Sequence, residues 1–261
     1  MRIFILTQND NQYLPAAIAE VCRNLQEEIV CLVTAPPMLG SSGKSFHNYL
    51  KHMLLFGVRG TFILGLRILR SKLRGLYSSP GPNGPFYSLK NVADTFAIPY
   101  YEMNLVNSPE FLELVEQYEP DLLVSMSCPQ IIKRELLDRF SMGSINVHGS
   151  PLPRYRGTMP AFWVLRNGEA KTATTVHDLD IKLDNGSILI QKEVKVMPDD
   201  TWDSLVKKTK AAGAEALIEA VTQIKAGTVK RKPNKDEDAT FISFPTPEDR
   251  KAFLASGRRF F

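Results

Sequence analysis

Cysteine is scarce in this chain. Three occur in 261 residues, Cys22, Cys31 and Cys128, widely spaced and without a CxxC pair. That excludes a disulfide framework and a thiolate metal site, and it fits a reducing compartment. Histidine is nearly as rare, with four copies and no HExxH, so no metal is expected. Glycine is missing from the first strand-to-helix turn, LTQNDNQYLP, which rules out the close backbone approach of a GxGxxG dinucleotide site. A second phosphate-loop candidate, LGSSGKS (39–45), has Met38 where GxxxxGK[ST] needs its first glycine, and reads as a connector. The opening MRIFILTQND lacks the long apolar stretch and cleavage site of a signal peptide, so the cytoplasm is expected. No apolar run reaches 18 residues, because Arg59 and Arg67 interrupt the longest, and no membrane span is expected. Acid is missing altogether from Ile29 to Ala93, where eight Lys and Arg stand.

What is there is ordinary for a globular chain: 44% apolar, 23% charged, and a net charge of +4 that does not by itself imply nucleic acid. The length suits one large domain. RIFILT, EIVCLVTAP, DLLVSMS (121–127) and GSINVHG read as buried strands. Helical spacing fits 12–26, 111–120 and 130–140. TATTVHDL and SILIQKEVKV read as further strands. A long helix follows from about Thr201 to Ala226, with Asp199, Asp200 and Thr201 as candidate caps. Strand and helix in alternation predict an α/β fold, a Rossmann-like, mostly parallel sheet with helices on both faces. RKPNKDED marks a boundary between a unit of residues 1–228, carrying a helical insertion at about 45–80, and a short extension, 229–261. In that extension Thr246 caps, Pro247 opens and Gly257 closes a last helix.

The chemistry gathers in SINVHGSPLPRYRG (144–157). On a strand, residues two apart share a face, so Asn146 and His148 project together at its exit. In open parallel sheets ligands bind at such carboxyl ends. Gly149, Pro151 and Pro153 stiffen the loop beyond. Alone, an NxH pattern reads as a histidine hydrogen-bonded to a buried asparagine. Downstream, however, TTVHDLDIKLDNGSIL (174–189) carries Asp184, 36 residues after His148 (184 − 148).

INVHGSPLPRYRG, PAFWVLRNGEAKTATTV and LDNGSILIQ together resemble the folate-dependent formyltransferase family, over about residues 120–195 and more weakly over 1–35. The family includes phosphoribosylglycinamide, methionyl-tRNA and nucleotide-sugar N-formyltransferases. The resemblance implies the formyltransferase fold and a triad of Asn146, His148 and Asp184. It implies N10-formyltetrahydrofolate as co-substrate, held largely by backbone of Cys128, Gln130, Ile131 and Ile132 and of Asp178, Leu179, Asp180, Ile181 and Lys182. On the acceptor side it implies Ser150, Arg154, Arg156 and His177, the arginines as phosphate ligands. Two residues depart from the family pattern, Gly149 where proline is usual and Lys182 where glycine is common.

The expected acceptor is a small-molecule primary amine, with an amino sugar on a nucleotide leading. The chain past Asp184 looks short for the barrel with which the tRNA enzyme grips its substrate, so nucleic acid is not expected. A deformylase passing formyl to water stays open, although residues 1–120 leave no room for the regulatory domain such enzymes carry. So does a non-catalytic folate-binding protein, and so does a homodimer. The resemblance does not cover KHMLLFGVRGTFILGLRILRSKLRG (51–75), where Arg67, Arg70, Lys72 and Arg74 alternate with leucines and isoleucines. It reads either as a helical pair lining the acceptor pocket or as a basic amphipathic surface touching anionic lipid at the inner face of the membrane.

Overall fold

The computed structural model describes residues 1–36, 44–77 and 80–261. The first five residues of LGSSGKS, 39–43, lie outside the described residues. In chain order the elements are β1 (Ile3–Gln8), α1 (Leu14–Leu25), β2 (Ile29–Ala35), α2 (Lys44–Tyr77), α3 (Leu89–Thr95), β3 (Tyr100–Glu102), α4 (Pro109–Tyr118), β4 (Leu122–Met126), α5 (Arg134–Leu137) and β5 (Ser144–His148). Then follow β6 (Arg156–Gly157), α6 (Pro160–Arg166), β7 (Lys171–Asp178), β8 (Ile188–Lys195), α7 (Trp202–Lys225), β9 (Phe241–Ile242) and α8 (Pro247–Ala255).

Seven strands form one sheet in the order β3-β2-β1-β4-β5-β7-β8. The first five run parallel, and β7 and β8 add antiparallel at the edge. Their continuous apolar runs are those of strands covered on both faces. On one face Ile3, Ile5, Val124, Ile145 and Val147 bury against α1 and α7. On the other Phe4, Leu6, Val33 and Leu123 bury against Phe111, Leu136 and Phe140. Ile145 and Val147 thus face α7, and the alternation of the strand turns Asn146 and His148 to the opposite side.

The helix expected over 130–140 is a single turn, α5. Asn107 holds the segment before it open, donating to the Ile131 carbonyl at 2.8 Å and accepting the Lys133 N–H at 2.8 Å. Thr201 alone caps α7, in a capping box with Ser204. Thr246 caps α8 in the same way with Asp249.

Residues 229–261 run back over the body. β9 pairs with β6, and Lys232 bridges Ile188. Phe253 stacks on Phe162 with centroids 4.9 Å apart, and Phe260 lies 4.7 Å from Phe253, inside a cluster that also takes Leu55 and Phe56 of α2. Each buried phenylalanine contributes about 1.5–3 kcal/mol, which is ample to hold the tail down.

Helix α2 bends at Gly57, whose φ of 70° and ψ of 175° break the helical path. Leu50–Tyr77 is long and apolar enough, by length and composition, to cross a membrane. Arg59 and Arg67 cut each apolar run short, as the sequence shows, yet leucine, isoleucine and phenylalanine keep the average apolar. Here one side of the helix lies on the protein, where Arg67 pairs with Asp203 at 2.9 Å.

Candidate active site

The sheet register builds the site. Asn146 on β5 lies directly across from His177 on β7, and His148 across from Thr175. His177 is buried. Its Nδ1 is 2.8 Å from the Asp178 carbonyl, an acceptor only, so Nδ1 carries the proton. Nε2 must then accept, and the Asn146 amide donates to it at 3.2 Å. The neutral histidine thereby fixes which way the amide points and leaves its second N–H for another partner.

His148 is 8% exposed. Its Nε2 donates to the Tyr155 carbonyl at 2.9 Å, and Nδ1 faces Asp184 Oδ2 at 3.6 Å. Asp184 Oδ1 is 3.7 Å from His177 Nε2. One carboxylate therefore sits between two imidazoles, at separations longer than a hydrogen bond.

Asp184 is held by two hydrogen bonds from distant parts of the chain. Its Oδ2 accepts the Gly157 N–H at 2.9 Å, and its carbonyl accepts from Asn234, which also donates to the Gly186 carbonyl at 3.0 Å. Two glycines make this closure sterically feasible. At Gly157, with φ of +116°, a Cβ would fall 2.0 Å from the Ile242 carbonyl oxygen. At Gly186 it would fall 1.8 Å from the Asp178 carbonyl oxygen. Asp184 itself has φ of 47°, a left-handed conformation that aspartate and asparagine tolerate better than most residues.

Burial pushes the His177 pKa down to about 4, against the pull of Asp184. Between pH 4 and 6.5 the native state then binds fewer protons than the unfolded chain, so stability rises with pH across that window and is lost as pH falls through it. The loss is on the order of 3 kcal/mol. Thermal midpoints of the wild type and His177→Asn, measured from pH 7 to pH 4, should converge as the pH falls. Curves that stay parallel would show that His177 is not held neutral by burial.

The other sequence-predicted residues divide. Cys128 and Leu179 pack against one apolar cluster, so the 128–132 and 178–184 loops stand over the same face. Ile131, Ile181 and Leu183 are exposed on them, and the buried Asn185 Oδ1 has no partner. Such loops fit a flat, partly apolar ligand held by backbone groups. Asp180 accepts from the Ile181 N–H at 2.6 Å, and Lys182 is exposed. Asp178 pairs with Arg231. The Gln130 side chain is not free for a ligand, since it donates to the Pro36 and Asn104 carbonyls and accepts from the Val106 N–H.

On the acceptor side, Ser150 and Arg156 are taken up by internal contacts, while Arg154 stays half-exposed. Ser150 is fully buried and donates to the Arg154 carbonyl. Arg156 is 1% exposed, bonded to Asp236 at 2.7 Å and to Asn234 at 2.9 Å, and so braces the loop instead of meeting an acceptor. Arg154 lies over the Tyr155 ring and pairs with Glu169. Among the described residues no group of three or more His, Cys, Asp or Glu could hold a metal ion.

Sequence reasoning missed a second cluster at the carboxyl ends of β1 and β4. Lys210 of α7 donates to Ser127 Oγ, just past β4, and feels the charge of Asp10, just past β1. Burial lowers the Lys210 pKa and raises that of Asp10, whose carboxylate accepts the N–H groups of Gln12 and Tyr13. In the row KKTKAAG a lysine looks like a solvated helix face, and only the packing of α7 on the sheet distinguishes Lys210 from Lys207 and Lys208.

A family model described as formyl transferase matches residues 70–221. The chain belongs to the formyl transferase family. As a formyl transferase it is 35% identical over 161 residues to methionyl-tRNA formyltransferase of Syntrophus aciditrophicus, covering 62% of this chain and 52% of that one. The Kosmotoga olearia methionyl-tRNA formyltransferase is 33% identical over 181 residues, 67% of this chain and 58% of the relative. The chain thus spans little more than half the length of these relatives. Among solved structures, its fold matches the N-formyltransferase of Helicobacter canadensis, determined with folinic acid and dTDP-3-aminofucose, at TM-score 0.58 and 16% identity, covering 93% of this chain and 71% of that one. It also matches phosphoribosylglycinamide formyltransferase of Anaplasma phagocytophilum at TM-score 0.61 and 15% identity, covering 93% and 98%. These likenesses show that the chain has the formyl transferase fold.

Proposed function

We propose that this chain transfers a formyl group from N10-formyltetrahydrofolate to the primary amine of a small acceptor, an amino sugar carried on a nucleotide, in the cytoplasm. The observation that carries the reading is the convergence of Asn146 and His148 from one strand with Asp184 from a glycine-closed loop. The amine nitrogen attacks the formyl carbon, the carbonyl oxygen takes the negative charge, and the bond to N10 then breaks. The free Asn146 N–H and a protonated His148 Nδ1 stabilise that oxygen, and Asp184 accepts the proton lost by the amine. N10 takes up a proton as it leaves.

The folate lies along the 128–132 and 178–184 loops in this reading. The acceptor enters beside Lys210, one or two strands away, where a half-enclosed cation next to Asp10 and Ser127 suits a small polar ligand with an anionic group. Residues 1–228 carry the reacting groups, and the 229–261 extension steadies them through Asn234.

The curated relatives favour methionyl-tRNA as a second acceptor reading. One assay separates the possibilities: release of tetrahydrofolate, with mass detection of the formylated amine, using amino-sugar nucleotides, methionyl-tRNA or no amine. Release that depends on an amino-sugar nucleotide is expected. Release without amine would mark a hydrolase, and release only with methionyl-tRNA would replace the small acceptor.

A further inference from the structure

Helix α2 is amphipathic in the opposite sense to a core helix. Beyond the bend at Gly57 its inner side is made by residues 60, 67, 71 and 75. A Cβ at Gly60 would touch the Phe261 ring at 3.3 Å. Arg67 pairs with Asp203 and lies over Phe261 at 5.1 Å. Ser71 accepts from Gln12 at 2.9 Å, and the Gly75 carbonyl accepts from Asn91 at 3.1 Å.

The outer side carries Val58, Phe62, Leu66, Leu69, Leu73 and Leu76, at spacings of four, four, three, four and three. All are exposed, from 49% at Leu73 to 85% at Val58. At 1.5 Å per residue this stripe runs roughly 27 Å. Near Phe62, Leu66 and Leu69 it forms a groove of about 400 Å³. Single exposed leucines are common on proteins, but a continuous stripe of this length marks an interaction surface.

The charges choose the occupant. At 100° per residue, Arg59 and Arg70 border one side of the stripe and Lys72 the other. No acidic residue occurs between Ile29 and Ala93. Among the described residues none of these three cations is in an ion pair. Two copies packed face to face would set these basic borders against each other with no acid between them. Arg67 and Arg74, which the sequence alone counts with the basic face, are engaged with Asp203 and with the Tyr87 ring.

We propose that the outer face of α2 docks on an anionic lipid surface. The helix lies in the interfacial plane, the six apolar side chains enter the acyl boundary, and Arg59, Arg70 and Lys72 meet phosphate headgroups. Because Gln12 and Asp203 tie α2 to the loop after β1 and to the start of α7, docking brings the carboxyl ends of β1 and β4 close to the membrane. The inference rests on α2 alone and is independent of which amine the site formylates.

The test is cosedimentation of the full chain with phosphatidylcholine vesicles with and without phosphatidylglycerol. Binding is expected only with the anionic lipid, and it should be lost at about 1 M salt, where the Debye length falls to ~3 Å. Changing Arg59, Arg70 and Lys72 together to Gln should weaken it by about a hundredfold, with circular dichroism and thermal midpoint unchanged because all three side chains are exposed. Leu69→Gln should weaken it as well. Wild type left in the supernatant with anionic vesicles at low salt overturns the proposal. Two other outcomes overturn it too: a dimer in analytical ultracentrifugation that Leu69→Gln dissolves, which assigns the stripe to a second copy, and binding that survives high salt and alkaline carbonate, which assigns α2 to a span.

Discussion

Asp184→Asn lowers formyl transfer by roughly 10²–10⁴-fold, the range of a positioned proton acceptor, and moves the thermal midpoint by only a few degrees. Both halves of this expectation follow from the same contacts. Asparagine keeps an oxygen for the Gly157 N–H and leaves the backbone carbonyl for Asn234. It also tolerates the positive φ at this position. What it loses is the carboxylate between His148 and His177, 3.6 and 3.7 Å away. Initial rates at saturating N10-formyltetrahydrofolate, beside a melting curve, check it. A variant that keeps a third or more of its activity removes Asp184 from the chemistry, and one that fails to fold makes the loop contacts its main role.

The second large effect belongs to Asn146 and His148. Alanine at either should cost about 10²–10³ in turnover, as for loss of one oxyanion donor, while folate affinity changes little. The double variant should cost clearly less than the product of the two, because both groups serve one developing charge. Asn146→Ala also strands the His177 Nε2 that the amide serves at 3.2 Å, so a stability loss of about 1 kcal/mol accompanies it. His148→Ala frees the Tyr155 carbonyl. Costs that multiply strictly would show that the two residues act on separate steps.

Much of this was legible before any coordinates. The strands announce themselves because buried parallel strands are continuous apolar runs, and α7 and α8 because Thr201 and Thr246 each sit three residues before a side chain that returns the capping bond. The triad is legible only through the family resemblance of INVHGSPLPRYRG and LDNGSILIQ, since NxH alone reads as a histidine bonded to a buried asparagine. The three-residue β3 was not legible, since it is too short to show a period.

Contacts between distant parts of the chain were equally hidden. Arg156 reads as a phosphate ligand until Asn234 and Asp236, some 80 residues on, consume its guanidinium. Lys210 reads as solvated until α7 is laid on the sheet. In α2 the composition shows the basic and apolar character, but only packing shows that Arg67 points inward and Leu69 outward.

The central claim is that one site at the carboxyl end of β5 holds the formyl donor against Asn146, His148 and Asp184. A crystal structure with a stable N10-formyl folate analogue tests it most directly. The account predicts the ring system between the 128–132 and 178–184 loops, with the formyl oxygen within hydrogen-bonding distance of Asn146 Nδ2 and His148 Nδ1 and the Asp184 carboxylate beside the formyl carbon. An analogue bound elsewhere on the sheet, or with its formyl group turned away from these three side chains, would contradict it.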